Sequence, residues 1–145
     1  MIPDLIDTGG PWPVLPPGIH DASMAEVERR FATNAHRKHL FDGLRKAVDA
    51  LRRAGCGTIY LDGSFVTGKP KPADFDACWE TDGVDDHRLD PVLLDFSDMR
   101  RSQKDRYGGE LFPADAHASP QSVFVDFFQV DKFTGRPKGV IRLRL

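Results

Sequence analysis

Residues 35–54 hold the strongest constraint on the fold. Leu40, Phe41, Leu44, Ala47, Val48 and Leu51 recur at helical spacing, with Arg37, Lys38, Arg45, Lys46, Arg52 and Arg53 on the other face. A long helix with one apolar stripe must bury that stripe against a second layer. Asn34 is placed to cap its start, and Gly55 to close it in the left-handed conformation. The partner layer follows directly. Thr58 to Leu61 reads as a short strand ended by the turn Asp62-Gly63-Ser64. Asp74 to Glu80 alternates strictly, with Phe75, Ala77 and Trp79 facing the long helix and Asp74, Asp76, Cys78 and Glu80 facing away.

The remaining segments are read against that pair of layers. Residues 1–22 carry Pro3, Pro11, Pro13, Pro16 and Pro17 among several glycines, which forbids helix and marks an extended arm. Ser23 followed by Glu26 forms a capping box for a short helix from Met24 to Phe31. An acidic run from Asp82 to Asp98 leads into Arg100, Arg101, Lys104 and Arg106, with a helix expected over about Pro91 to Tyr107. Gly108 to Pro120 reads as loop. Ser122 to Val130 is apolar on both faces and reads as a central strand, and Gly139 to Leu145 as a last one. The expected architecture is α/β (α+β): a small mixed β-sheet with helices packed on it, in a domain over 23–145 preceded by the arm over 1–22.

Charge and cysteine content narrow the function classes. The chain has 145 residues with 20 Lys plus Arg and 22 Asp plus Glu, for a net charge of -2, so it is no generic polycation that holds nucleic acid by charge alone. No apolar run is long enough to span a bilayer, and the first residues lack the pattern of a secretory signal, so the expectation is a cytoplasmic protein with no membrane partner. Cys56 and Cys78 form no Cys-x-x-Cys pair and read as reduced core residues. The five histidines show no zinc spacing.

Three acids stand out. Asp126 lies in the middle of the expected central strand, where an unpaired carboxylate costs several kcal/mol unless it is protonated, paired or bound to a cation. Asp74 and Asp76 leave one face of a strand about 7 Å apart and can converge on a cation. If the two strands are neighbours, three carboxylates meet, and a hard divalent ion such as Mg²⁺ is the usual way to hold them together. The bland reading is that these acids end strands in solvent or pair with Arg and Lys. Gly63 permits a strained turn directly after a strand, and Ser64 adds a hydroxyl and an amide suited to a phosphate. Gly63 to Lys69 also fits the first seven positions of a P-loop, but Pro70 stands where Ser or Thr is required, which sets that reading aside.

The ordered set of a strand, Gly63-Ser64, nine residues, Asp74-Phe75-Asp76, and a later apolar segment around Asp126 resembles the signature of the DNA polymerase beta-like nucleotidyltransferase superfamily. Leu-Asp-Gly-Ser-Phe-Val-Thr at 61–67 and Lys-Pro-Ala-Asp-Phe-Asp at 71–76, with Leu15-Pro16-Pro17-Gly18-Ile19-His20, resemble a small uncharacterised bacterial group related to the minimal nucleotidyltransferases. The resemblance covers Thr58 to Val130. It implies that Asp74 and Asp76 bridge two Mg²⁺ ions, that Asp126 completes the site of the catalytic one, and that Gly63 and Ser64 grip the phosphates of ATP or another NTP. Lys69 and Lys71 would neutralise triphosphate charge; solvated loop lysines are the equal alternative.

Two functions stay open at this point. One is an Mg²⁺-dependent nucleotidyltransferase moving an NMP from an NTP to a hydroxyl on a protein, an RNA or a small molecule, within a toxin-antitoxin or phage-defence system. The other is a nucleotidyltransferase-like binding module, such as an antitoxin, with little or no catalysis. A core this short leaves the acceptor pocket open, so a homodimer or the product of an adjacent gene is expected to supply the missing wall. The basic strip of Lys132, Arg136, Lys138, Arg142 and Arg144 reads first as an edge strand protected by charge, and second as a docking surface for RNA or an acidic partner.

Overall fold

The computed structural model describes all 145 residues. The elements run β1 (Gly18–Asp21), α1 (Met24–Phe31), α2 (Ala35–Arg53), β2 (Thr58–Asp62), β3 (Phe75–Trp79), α3 (Ser97–Tyr107), β4 (Gly109–Pro113), β5 (His117–Ser119), β6 (Ser122–Val123), α4 (Phe124–Phe127) and β7 (Gly139–Arg144). Short 3-10 turns cover Ser64–Val66 and Pro91–Leu94. Five strands form one mixed sheet in the order β1-β7-β2-β3-β4, and β5 and β6 make a separate small hairpin. This is the α+β architecture expected from the sequence. No helix is long and apolar enough to cross a membrane.

Both N-terminal helices start as their sequences require. Ser23 and Glu26 exchange the two hydrogen bonds of a capping box, and the Asn34 side chain accepts from the Arg37 amide. The apolar stripe of α2 meets the sheet. Leu40, Phe41, Leu44, Ala47, Val48 and Leu51 share the main core with Ile59 and Leu61 of β2, Phe75, Ala77 and Trp79 of β3, Leu111 of β4, and Ile141 and Leu143 of β7. Cys56 and Cys78 are both buried and unpaired by disulfide.

The opposite face of the sheet is covered more thinly. Tyr60, Cys78 and Val140 pack there against Phe128 and Ala114, with Phe112, Phe124 and Val125 at the margin. Phe124 stacks on Phe112 at 4.0 Å between ring centroids. The segment that follows β4 therefore folds back over the face that carries the strand acids.

The arm is built into this structure. Ile6 and Val14 bridge each other, Val14 and Leu15 are buried, and β1 pairs in parallel with β7 at the sheet edge. Trp12 packs edge-on against Phe133 while Lys69 lies 4.8 Å over its ring.

Four segments differ from the sequence reading. The helix expected over Pro91 to Tyr107 is broken after Leu94, and α3 begins at Ser97. Gly108 to Pro120 is not loop: it contains β4, because Gly109 leaves room for the Phe75 ring, which a Cβ there would meet at 2.5 Å. Ser122 to Val130 is not a central strand. Only two residues are extended; Phe124, Val125 and Phe128 then cover the sheet from one helical turn. The strip ending in Arg142 and Arg144 is not an edge, since β7 lies between β1 and β2.

Candidate functional site

Strand register places three carboxylates in a row. Asp62 of β2 is paired with Asp76 of β3, and Asp76 with Glu110 of β4. Side chains directly opposite on adjacent strands are roughly 5 Å apart, so Asp76 has an acid on each side. Asp74, just before β3, leaves the same face. Burial raises the Asp76 carboxyl far above the ordinary aspartate range, and repulsion from Asp74, Glu110 and Asp62 adds to this. Burial and the charge of Glu110 push Asp74 up as well. Asp76 and Asp74 make no ion pair, whereas their neighbours do.

Each flanking acid is held by a cation. Lys138, from the segment leading into β7, pairs with Asp62, both side chains being about one-tenth exposed. Burial still dominates at Asp62 and raises its carboxyl despite Lys138. Arg100 and Lys104 of α3 each reach Glu110 Oε1 at 3.0 Å. Burial opposes ionisation of Glu110, but these two cations outweigh it and hold the carboxyl below the ordinary glutamate range. With the outer acids paired in this way, no three His, Cys, Asp or Glu side chains converge into a preformed metal cage.

The Gly-Ser turn lies against the middle acid. Gly63 has φ +77°, and a Cβ on it would lie 2.2 Å from Asp76 Oδ2. Glycine is therefore required twice, by the left-handed backbone and by the closeness of the carboxylate. Ser64 opens the 3-10 turn that follows. What holds this loop is Arg37, which the sequence places on the polar face of α2 but which is 4% exposed. Its guanidinium donates to the carbonyls of Phe31, Phe65, Ser64, Thr67 and Lys69. One buried cation thus fixes the backbone from Ser64 to Lys69, and Gly63 beside it.

A second device aims Arg100. Asp98, Met99 and Arg100 all have left-handed backbone, with φ of 50°, 55° and 60°. Each non-glycine residue in that region costs about 1–2 kcal/mol. The turn is tied from both sides: Ser97 and Ser102 donate to the Asp95 carboxylate, and Arg100 bonds Glu110. Arg100 also lies 5.6 Å from the Phe112 ring centroid, and its Nε is buried without a partner.

The sequence-derived site is brought together in part. Asp74, Asp76, Gly63 and Ser64 are adjacent, and Lys69 is near enough to lower the Asp74 carboxyl, with Lys104 and Lys132. Lys71 is exposed and makes no contact with the acids. Asp126 is not on a sheet strand beside them: it is exposed on α4, and no hydrogen bond or ion pair ties it to Asp74 or Asp76. Besides Asp62 on β2, the strand acid beside Asp76 is Glu110 on β4. Its signal was the string Gly109-Glu110-Leu111-Phe112, an acid beside apolar residues directly after a basic helix.

The sequence model of a family of unknown function, DUF6932, matches residues 10–144. The chain belongs to that family. The match spans Trp12 of the arm, the acid row and all of β7, so the part of the arm that braces Lys69 lies within the DUF6932 match. No curated protein and no solved structure matches the chain.

Proposed function

We propose that this DUF6932 chain is a divalent-cation-dependent nucleotidyltransferase with Asp74, Asp76 and Glu110 as its acids. The observation that carries this reading is the row Asp62–Asp76–Glu110 across three adjacent strands, with Gly63 backed directly onto Asp76. The donor set consists of hard carboxylate oxygens, and Asp74 and Asp76 form no ion pair with a protein cation, which suits Mg²⁺. Bound there, Mg²⁺ would lower the pKa of an acceptor hydroxyl and offset charge on the triphosphate and its leaving pyrophosphate. The chain's own groups would do the rest. Asp74, Asp76 and Glu110 hold the cation, Gly63 and Ser64 offer backbone and hydroxyl to phosphate, and Lys69 and Lys132 supply positive charge beside Asp74. In the transfer, the acceptor oxygen bonds to the α-phosphorus and the bond to pyrophosphate breaks.

The pairing of Asp62 with Lys138 and of Glu110 with Arg100 and Lys104 favours a second reading, in which the domain binds a partner and performs no transfer. One experiment separates them. The protein is incubated with labelled NTPs, Mg²⁺ and protein, RNA and small-molecule fractions of a cell extract. Transfer by the wild type and none by Asp76→Asn supports the enzyme. Equal inactivity of both, with a tight complex to the product of an adjacent gene that survives Asp76→Asn, supports the binding module.

A further inference from the structure

On the far side of the sheet from the acid row, a cleft of about 520 Å³ opens between α2, α3 and the loop before the Pro91–Leu94 turn. Its cations are Lys46 and Arg53 of α2, Arg88 of the loop and Arg106 of α3, against one carboxylate, Asp90. Asp90 is already engaged: Arg106 bonds it at 2.7 Å, and Tyr107 and the Val92 amide also donate to it. Lys46, Arg53 and Arg88 make no ion pair. Of the acids nearby, Asp49 pairs with Arg52 and Asp105 with Arg101, while Asp85 and Asp86 precede Arg88 on the same loop and lie outside the lining. A chain of net charge -2 therefore concentrates unbalanced positive charge in one concavity.

The concavity is fixed in place. Asp85 donates its amide to the Ala54 carbonyl, and Arg88 and Leu89 donate theirs to the Asp85 carbonyl, which pins the loop to the end of α2. Buried Ala50 and Leu89 form an apolar floor. Lys46 and Arg53 stand seven residues apart on one helix face, about 10 Å along the axis, so separated anionic groups on one ligand engage both. The volume lies within the ~300–1,000 Å³ of small-molecule sites.

We propose that this cleft binds a small polyanion carrying two or more phosphate groups. Lys46, Arg53 and Arg88 make the contacts, while Arg106, oriented by Asp90, forms the wall. The site is separate from the acid row and does not depend on any transfer activity there.

The test is calorimetric titration of the full chain with sodium tripolyphosphate, without divalent cations, at low and at moderate salt. The expected result is saturable binding at one site that weakens with salt. The triple variant Lys46→Ala/Arg53→Ala/Arg88→Ala should bind about tenfold more weakly or worse, because three charge-assisted contacts are lost. Arg29→Ala/Lys38→Ala/Arg136→Ala, with the same change in net charge, and Asp76→Asn should bind as the wild type does. Thermal melts establish that each variant is folded. Equal weakening by the two triple variants, or no saturation, overturns the proposal. So does binding of a single-stranded oligoribonucleotide with none of tripolyphosphate, which would make the cleft a nucleic-acid surface.

Discussion

Gly63 and Asp76 are in such close apposition that the smallest side chain on the glycine would lie 2.2 Å from the carboxylate oxygen. The turn that ends β2 and the acid in β3 therefore form one unit, and neither can change without moving the other. Gly63→Ala is expected to destabilise the fold by about 1–3 kcal/mol from backbone strain alone, with a further cost from displacing Asp76. Urea denaturation measures the first effect, and loss of any nucleotidyl transfer reports the second.

Glu110 and Asp126 offer a direct comparison. Glu110→Gln is expected to abolish transfer and to weaken Mn²⁺ binding measured by electron paramagnetic resonance, while Asp126→Asn leaves both unchanged. Normal activity in Glu110→Gln with loss in Asp126→Asn would return the third acid to α4.

Arg37 supports the Gly-Ser loop through backbone carbonyls, with no carboxylate partner. Arg37→Ala leaves several buried carbonyls without a donor, and each unsatisfied group costs about 1–3 kcal/mol. A loss of about 3 kcal/mol or more in denaturant unfolding is expected. Arg37→Lys should recover only part of it, since an ammonium cannot span the same fork of acceptors.

Burial works against ionisation of Asp90, but hydrogen bonds from Tyr107, Arg106 and the Val92 amide outweigh it and hold its carboxyl below the ordinary aspartate range. A carboxyl depressed in the folded state adds stability that is present above its unfolded pKa and is lost as pH falls through the folded one. Melting temperature should therefore drop below about pH 4 in the wild type. In Asp90→Asn the melt should begin lower at neutral pH and show a shallower acid decline.

Met99 is 71% exposed and sits in the centre of the left-handed turn, with φ 55°. Its side chain contributes little burial and its backbone is strained. Met99→Gly is expected to raise stability by about 1 kcal/mol, a reversal of the usual penalty for glycine in a helix. A fall in the denaturation midpoint would mean that the turn is not held as described.

Helices α1 and α2 were legible because their signals are local. Ser23 with Glu26, Asn34, Gly55 and the stripe from Leu40 to Leu51 specify α1 and α2 with no reference to the rest of the chain. Strands β2, β3 and β7 showed through β-branched and alternating residues. β4 did not, since its opening glycine and closing proline are loop signals; only the Phe75 ring against Gly109 explains the glycine. The stretch around Asp126 failed for another reason. A short apolar run is the same whether it is doubly covered strand or one turn of helix lying on a sheet. Half of the site followed from Gly63, Ser64, Asp74 and Asp76. The other half depends on which strand lies beside β3, which residue spacing does not state. Arg37 was hidden because an arginine on a helix next to other bases looks solvated until the loop that surrounds it is known.

The pairing of residues 18–21 with residues 139–142 also governs the order of assembly. β1 is made some 120 residues before its only strand partner, so it stays unpaired until β7 has followed. Contacts so distant in sequence form late and slow a chain's folding. The edge of the sheet and the brace around Lys69 are therefore expected to be the last parts to set, after the helices and β2–β4 have already packed. A newly made chain passes through a stage in which its acid row exists without its rim.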